Sequence, residues 1–239
     1  MTQPPPAAAL SASAGREIVL GSTCWVLTVL FFVGQAIAQA AVTTRYSLVA
    51  NNISDLGRAT CGPFSLGTYH TEVCSPLHTV MNGTFVVVGL LLVVGAVALR
   101  RAWPPRRLTS VGIVLLALAG AGQVLAGLSP EDANGGLHIL GAPFGIPLPP
   151  IAILLLAASV GPVDRVVVVL SVTLGVAGVV ALALMIAAPW LLGMGATERL
   201  AAYPTYVWTI AIGSIVLVRR ASTIAADQAV ADPAGRAKR

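Results

Sequence analysis

The sequence predicts an all-α membrane protein: a bundle of six transmembrane helices with both termini cytoplasmic and a long, ordered first extracytoplasmic loop. Three observations predict it. The 239-residue chain is 56% hydrophobic and only 10% charged, where a soluble domain carries about 25% charged residues. Six stretches lack Asp, Glu, Lys and Arg and come near the roughly 20 apolar residues that span a bilayer. The basic residues are also distributed unequally between the joints that connect those stretches.

The stretches are 18–42, 77–99, 108–128, 137–160, 166–192 and 201–218. With the N-terminus inside, the inside segments hold eleven Lys or Arg (Arg16, Arg100, Arg101, Arg106, Arg107, Arg165, Arg219, Arg220, Arg236, Lys238 and Arg239), and the outside segments hold three, Arg45, Arg58 and Arg199. Cytoplasmic loops carry the excess of Lys and Arg, which gives this orientation, and the plasma membrane is the expected location. Residues 1–16 and 221–239, rich in Pro, Ala and Ser or small and polar, are expected to be disordered cytoplasmic tails around a domain at 17–220. "AQA" at 38–40 fits a signal-peptide cleavage site, but the preceding apolar run is longer than the 7–15 residues typical of one. A retained first helix is the expectation. Trp25, Trp103, Trp190 and Trp208 fall near the expected interfaces, as in an aromatic belt. The net charge of +5 follows topology, and no nucleic-acid motif accompanies it.

The fourth stretch, "GAPFGIPLPPIAILLL", contains Pro143, Pro147, Pro149 and Pro150. Proline removes a backbone donor and kinks a helix. Its outer half is expected to be bent and packed inside the bundle. Small residues in "GLLLVVGAVAL" and "VTLGVAGVVALAL" read as packing faces.

The polar loop "ANNISDLGRATCGPFSLGTYHTEVCSPLHTVMNG" concentrates the chemistry. Cys61 and Cys74 suit a disulfide on an oxidising face; two free thiols, or a metal pair with His70, are the alternatives. Cys24, inside the first helix, reads as an inert apolar residue. Gln35 with Gln39, and His78 with Asn82, have the i,i+4 spacing that shares a helix face. Gln123 and His138 lie at a similar outer depth, as do Tyr203, Thr205, Tyr206 and Thr209. Buried polar groups in a membrane mark function or bind helices together. Asp55, His78, Asn82, Gln123, His138 and Gln35 are therefore the candidate ligand-binding residues of an outward-facing pocket roofed by this loop. Asp55, Glu72, Glu131 and Asp132 could lend it charge. No H-E-x-x-H, G-x-S-x-G or zinc signature is present, so no catalytic residue, metal or cofactor is assigned.

"ISDLG" at 53–57, "MNGTFVVVGLLL" from 81 and "LHILGAPFG" from 137 resemble the bacterial membrane proteins grouped as domain of unknown function 998. The resemblance covers roughly residues 18–220. It implies six helices, no assigned activity, and characteristic positions at Asp55, Gly57, Asn82, Gly89 and His138. The expected function is a non-enzymatic pocket for a lipid headgroup or a partner protein, with membrane lipids, another membrane protein or a second copy as partners. A hydrolase or transferase acting on a lipid-linked substrate at the outer leaflet, through Asp55 and His138, is the alternative. A small transporter is the third.

Overall fold

The computed structural model describes residues 7–161 and 164–231. The tails expected at 1–16 and 221–239 fall in part outside the described residues. Eight α-helices dominate: α1 (Ala7–Val26), α2 (Leu30–Ala40), α3 (His78–Leu99), α4 (Arg107–Leu128), α5 (Gly135–Gly145), α6 (Leu148–Val160), α7 (Arg165–Ala187) and α8 (Met194–Ala231). Among the described residues, five segments, Ala14–Ala40, His78–Ala102, Arg107–Leu128, Arg165–Ala187 and Met194–Thr223, are long and apolar enough to cross a membrane. Their outward faces carry exposed Val, Leu and Ile, as a membrane-embedded protein requires.

α1 and α2 are joined by a tightened turn at Leu27–Val29. There the Thr28 hydroxyl lies 2.6 Å from the Trp25 carbonyl and 2.7 Å from the Thr209 hydroxyl of α8. A side chain bonded to its own preceding turn competes with the regular helix ladder, which favours this local tightening. α3 packs on α4, α1 on α3 and α8, and α7 on α6 and α8. The main core gathers Trp25, Leu92, Leu116, Ile153, Leu156 and Trp208. Trp25 and Trp208 stand 5.1 Å apart and Trp103 stacks 6.0 Å from Trp208. The belt expectation therefore fails for these three, which are interior; Trp190 is 76% exposed.

The fourth expected stretch is two helices. Pro147 precedes the first residue of α6, and Pro149 and Pro150 fill its first turn, where missing donors cost little. α5 is not enclosed by the bundle but lies along its edge. It lies on α4 and leaves Leu137, Ile139, Leu140 and Phe144 exposed. Gly122 and Gly141 make that contact possible: a Cβ on either would sit 2.6 Å from the other's carbonyl oxygen. The last helix also differs from expectation. α8 starts at Met194, so Glu198 and Arg199 lie inside a helix rather than in a joint.

Residues 41–77 form a cap over one end of the bundle. It contains a helical turn at Ser54–Gly57 and an antiparallel hairpin of β1 (Gly62–Leu66) and β2 (Tyr69–Val73). Gly67, at φ +60°, takes the first position of the two-residue turn, where hairpin turns of the II′ kind place glycine. The Cys61–Cys74 disulfide closes the open end of the hairpin.

Candidate functional site

The cap is tied to the helices by polar contacts, and those contacts converge on one region. "ISDLG" is a helical turn whose Asp55 is fully buried. Asp55 Oδ2 accepts from the Asn52 N–H at 2.9 Å, Asn51 Nδ2 at 3.3 Å and the Thr71 hydroxyl at 3.4 Å, and from the Tyr69 hydroxyl. Burial, and this bond to Asp55, push the Tyr69 phenol well above its ordinary range. Gly57 is held by Asn82, whose Nδ2 donates to its carbonyl at 2.7 Å. The Ser75 hydroxyl donates to the Leu56 carbonyl at 2.8 Å.

Two further elements grip the cap. On the joint between α4 and α5, Asp132 accepts from the Ala59 N–H, the Thr60 N–H and the Thr60 hydroxyl at 2.7–2.9 Å. Partial burial opposes ionisation of Asp132, but these bonds outweigh it and hold the carboxyl below its usual range. On α8, Glu198 accepts from the Ile53 N–H at 2.5 Å. Its neighbour Arg199 donates to the carbonyls of Leu48, Asn51 and Gly195 at 2.7–3.0 Å and to the Tyr46 hydroxyl at 2.5 Å.

Glu131 is the most perturbed group in this region. It is 7% exposed, and its carboxyl lies beside the Asp55 carboxyl and Ser54. Burial first, then the charges of Asp55 and Glu198, push it up to about 9. Two ionised carboxylates are acceptors only and cannot hydrogen-bond each other. A proton on Glu131 makes the contact an attractive one, and it is kept at neutral pH.

Beside this pair is a cavity of about 330 Å³. Ligand pockets measure about 300–1,000 Å³. Its polar lining comes from Asn52, Ser54, Tyr69, Gln123, Glu131, His138 and Glu198, and most of the rest of its wall is apolar, with Phe31, Phe85, Ile139, Ile146 and Met185. α5 forms one wall and α8 another. Gln123 Oε1 accepts from the Tyr206 hydroxyl at 2.7 Å, which leaves Nε2 without a partner. His138 Nδ1 lies 2.9 Å and 3.2 Å from the carbonyls of Ser129 and Ala126. Facing two acceptors, that nitrogen carries the proton, so in the neutral ring Nε2 is the acceptor.

Gln123 and His138 thus line one cavity, as Glu131 does, while Asp55 lies behind its wall. Gln35 exchanges hydrogen bonds of 2.8–2.9 Å with Tyr203 and joins α2 to α8. His78 folds back on the Ser75 carbonyl at 3.2 Å. These two and Asn82 do not line the cavity. Cys24 is buried and unpaired. His70 pairs with Ser65 at 2.8 Å across the hairpin, and among the described residues no group of three His, Cys, Asp or Glu is arranged to hold a metal. Glu198 is the residue that sequence reasoning passed over: it stood next to Arg199 in a joint. The available signal was "GATERLAAY", which continues a helical run without a breaker.

No curated protein and no solved structure matches the chain. The family model described as "Protein of unknown function (DUF998)" matches residues 26–215. That span includes the cap, the cavity and every helix that lines it, and the chain belongs to the DUF998 family.

Proposed function

We propose that the protein is a multi-pass plasma-membrane protein of six crossings, with both termini cytoplasmic and the cap outside, whose cavity binds an amphipathic membrane component by its polar end. α5 and α6 together make the fourth crossing. The orientation rests on charge: Arg100, Arg101, Arg106, Arg107, Arg165, Arg219 and Arg220 lie at helix ends away from the cap, whereas Arg58 and Arg199 near the cap are buried. The observation that carries the binding reading is the cavity itself. It is apolar over most of its wall, polar where the cap meets it, and bordered by a broken helix. Irregular backbone at membrane depth is tolerated where it lines a cavity. The role is binding rather than chemistry.

Native mass spectrometry of the purified protein tests this. A co-purifying lipid-sized mass is expected, and Ala142→Trp, which fills the cavity from α5, removes it. No such mass on the unaltered protein, or one indifferent to the filling, refutes the reading. Cysteines placed at 60 and 105 test the orientation: only the first should react with a membrane-impermeant thiol reagent on intact cells.

One observation favours a second reading, an enzyme acting on a lipid-linked substrate at the outer leaflet. A carboxyl held protonated by burial beside a second carboxyl is a common acid–base arrangement. Glu131, which lines the cavity and keeps its proton, is then the acid, and Asp55 its buried partner. Turnover of a lipid-linked substrate that vanishes in Glu131→Gln would establish this reading over simple binding.

A further inference from the structure

The lining of the cavity also constrains the polar end of what it binds, and this step rests on the binding reading above. Two carboxyls, Glu131 and Glu198, face the cavity, and no Lys or Arg is among its lining residues. The nearest guanidinium in sequence, Arg199, has one nitrogen on three carbonyls and the other on Tyr46. Arg58 lies 4.8 Å over the Phe64 ring within the cap and does not line the cavity. A phosphate would sit against the Glu198 carboxylate with no counter-charge, and like-charge juxtaposition in a desolvated site is strongly unfavourable. An ammonium is the complementary group.

The remaining polar lining asks for something else. Gln123 is 7% exposed, its amide is oriented by Tyr206, and its Nε2 has no partner. A buried donor left without an acceptor is costly. It needs an acceptor, which an ammonium is not. His138, on the neighbouring helix α5, offers the opposite: an Nε2 lone pair with Nδ1 already engaged. A hydroxyl has both capacities, an acceptor for Gln123 and a donor for His138. The apolar wall beyond them suits a hydrocarbon chain.

We propose that the cavity takes an amphiphile whose polar end is an ammonium beside a hydroxyl, a long-chain amino alcohol, in preference to a phosphate-headed lipid. The Glu198 carboxylate holds the ammonium, with the carbonyl oxygen of the protonated Glu131 as a second acceptor, and Gln123 and His138 hold the hydroxyl.

The test compares four probes on the full chain in lipid nanodiscs by native mass spectrometry: 2-amino-1-dodecanol, dodecylamine, dodecyl phosphate and 1-dodecanol. The amino alcohol should bind at least about tenfold tighter than the phosphate or the plain alcohol, since a hydrogen bond to a charged group contributes about 1.5–3 kcal/mol. Glu198→Gln should reduce that preference, and Gln123→Leu should erase the advantage over dodecylamine. Equal or tighter binding of dodecyl phosphate or 1-dodecanol overturns the amino alcohol while leaving an amphiphile site in place. Binding of none of the four overturns both readings. The comparison among probes on the unaltered protein decides the matter even if a variant fails to fold.

Discussion

The carboxyls of Glu131 and Asp55 lie side by side beneath the cap, one from the joint between α4 and α5 and the other from the turn in "ISDLG". A proton between them makes this contact attractive, and without it the same contact pushes the cap away. Glu131 holds its proton up to about 9, far above an unfolded glutamate. The folded chain therefore binds this proton more tightly than the unfolded one. The stability it contributes is complete below the ordinary range near 4.5, drains as pH rises through the interval, and is gone above about 9. Thermal unfolding in detergent should fall in temperature over that window. Glu131→Gln keeps a neutral donor toward Asp55 and should flatten the profile. An unchanged slope would show that Glu131 does not carry the pH dependence.

Arg199 gives a second prediction. Its guanidinium ties three carbonyls and a phenol across the junction of cap and α8. Gly193 and Gly195 let the cap backbone at Val49 and Asn51 press directly on that helix start. Arg199→Met keeps the stem and removes every charged bond. The loss should be about 3 kcal/mol or more, because buried acceptors are left without donors. Limited proteolysis reads it: cleavage within residues 41–53 should appear in the variant and be absent from the parent. Arg199→Lys should restore resistance only partly, since an ammonium cannot fork across that many acceptors.

How much of this was legible in sequence follows from what hydropathy measures. It reports depth along a helix, not the direction a side chain faces. Gln35, Asn82, Gln123 and His138 share a depth, yet only Gln123 and His138 face the cavity, because the other two point at Tyr203 and the Gly57 carbonyl. The three core tryptophans were assigned to interfaces for the same reason. Glu198 and Arg199 ended an apolar window, which hid the helix they belong to. What makes them tolerable there is the cap, which supplies backbone partners that no local reading can anticipate. By contrast, the prolines of the fourth stretch announced the break before α6, and the Cys61–Cys74 pairing followed from loop position.

The disulfide leads to the third prediction. Cys61 and Cys74 are separated by 13 residues, and closing a loop of this size contributes about 3 kcal/mol in the chain-entropy picture. The hairpin carries Tyr69 and Thr71, two of the donors on Asp55. Cys61→Ser with Cys74→Ser should therefore do more than lower thermal stability. It should also raise amide hydrogen exchange across 51–57, which is outside the closed loop. Faster exchange confined to 61–74 would mean that the hairpin does not support the Asp55 turn.

Gly122 and Gly141 carry the last prediction. Each lies against the other's carbonyl with no room for a methyl group, so α5 rests on α4 backbone to backbone. His138 is three residues before Gly141 and on the same face of α5, which is what brings its Nδ1 to the carbonyls of Ala126 and Ser129. Gly141→Ala must push the two helices apart. Overpacking of this kind costs about 1–3 kcal/mol. The displacement should release the His138 ring and widen the cavity between α5 and α8, so loss of any co-purifying mass should accompany the drop in stability. Gly135→Ala is the matched control: it lies at the start of the same helix, and a Cβ there meets nothing within 4 Å. If both variants lose stability equally, α5 is sensitive to glycine content rather than to its approach to α4. If only Gly141→Ala does, and the mass is lost with it, the close helix contact is what shapes the site.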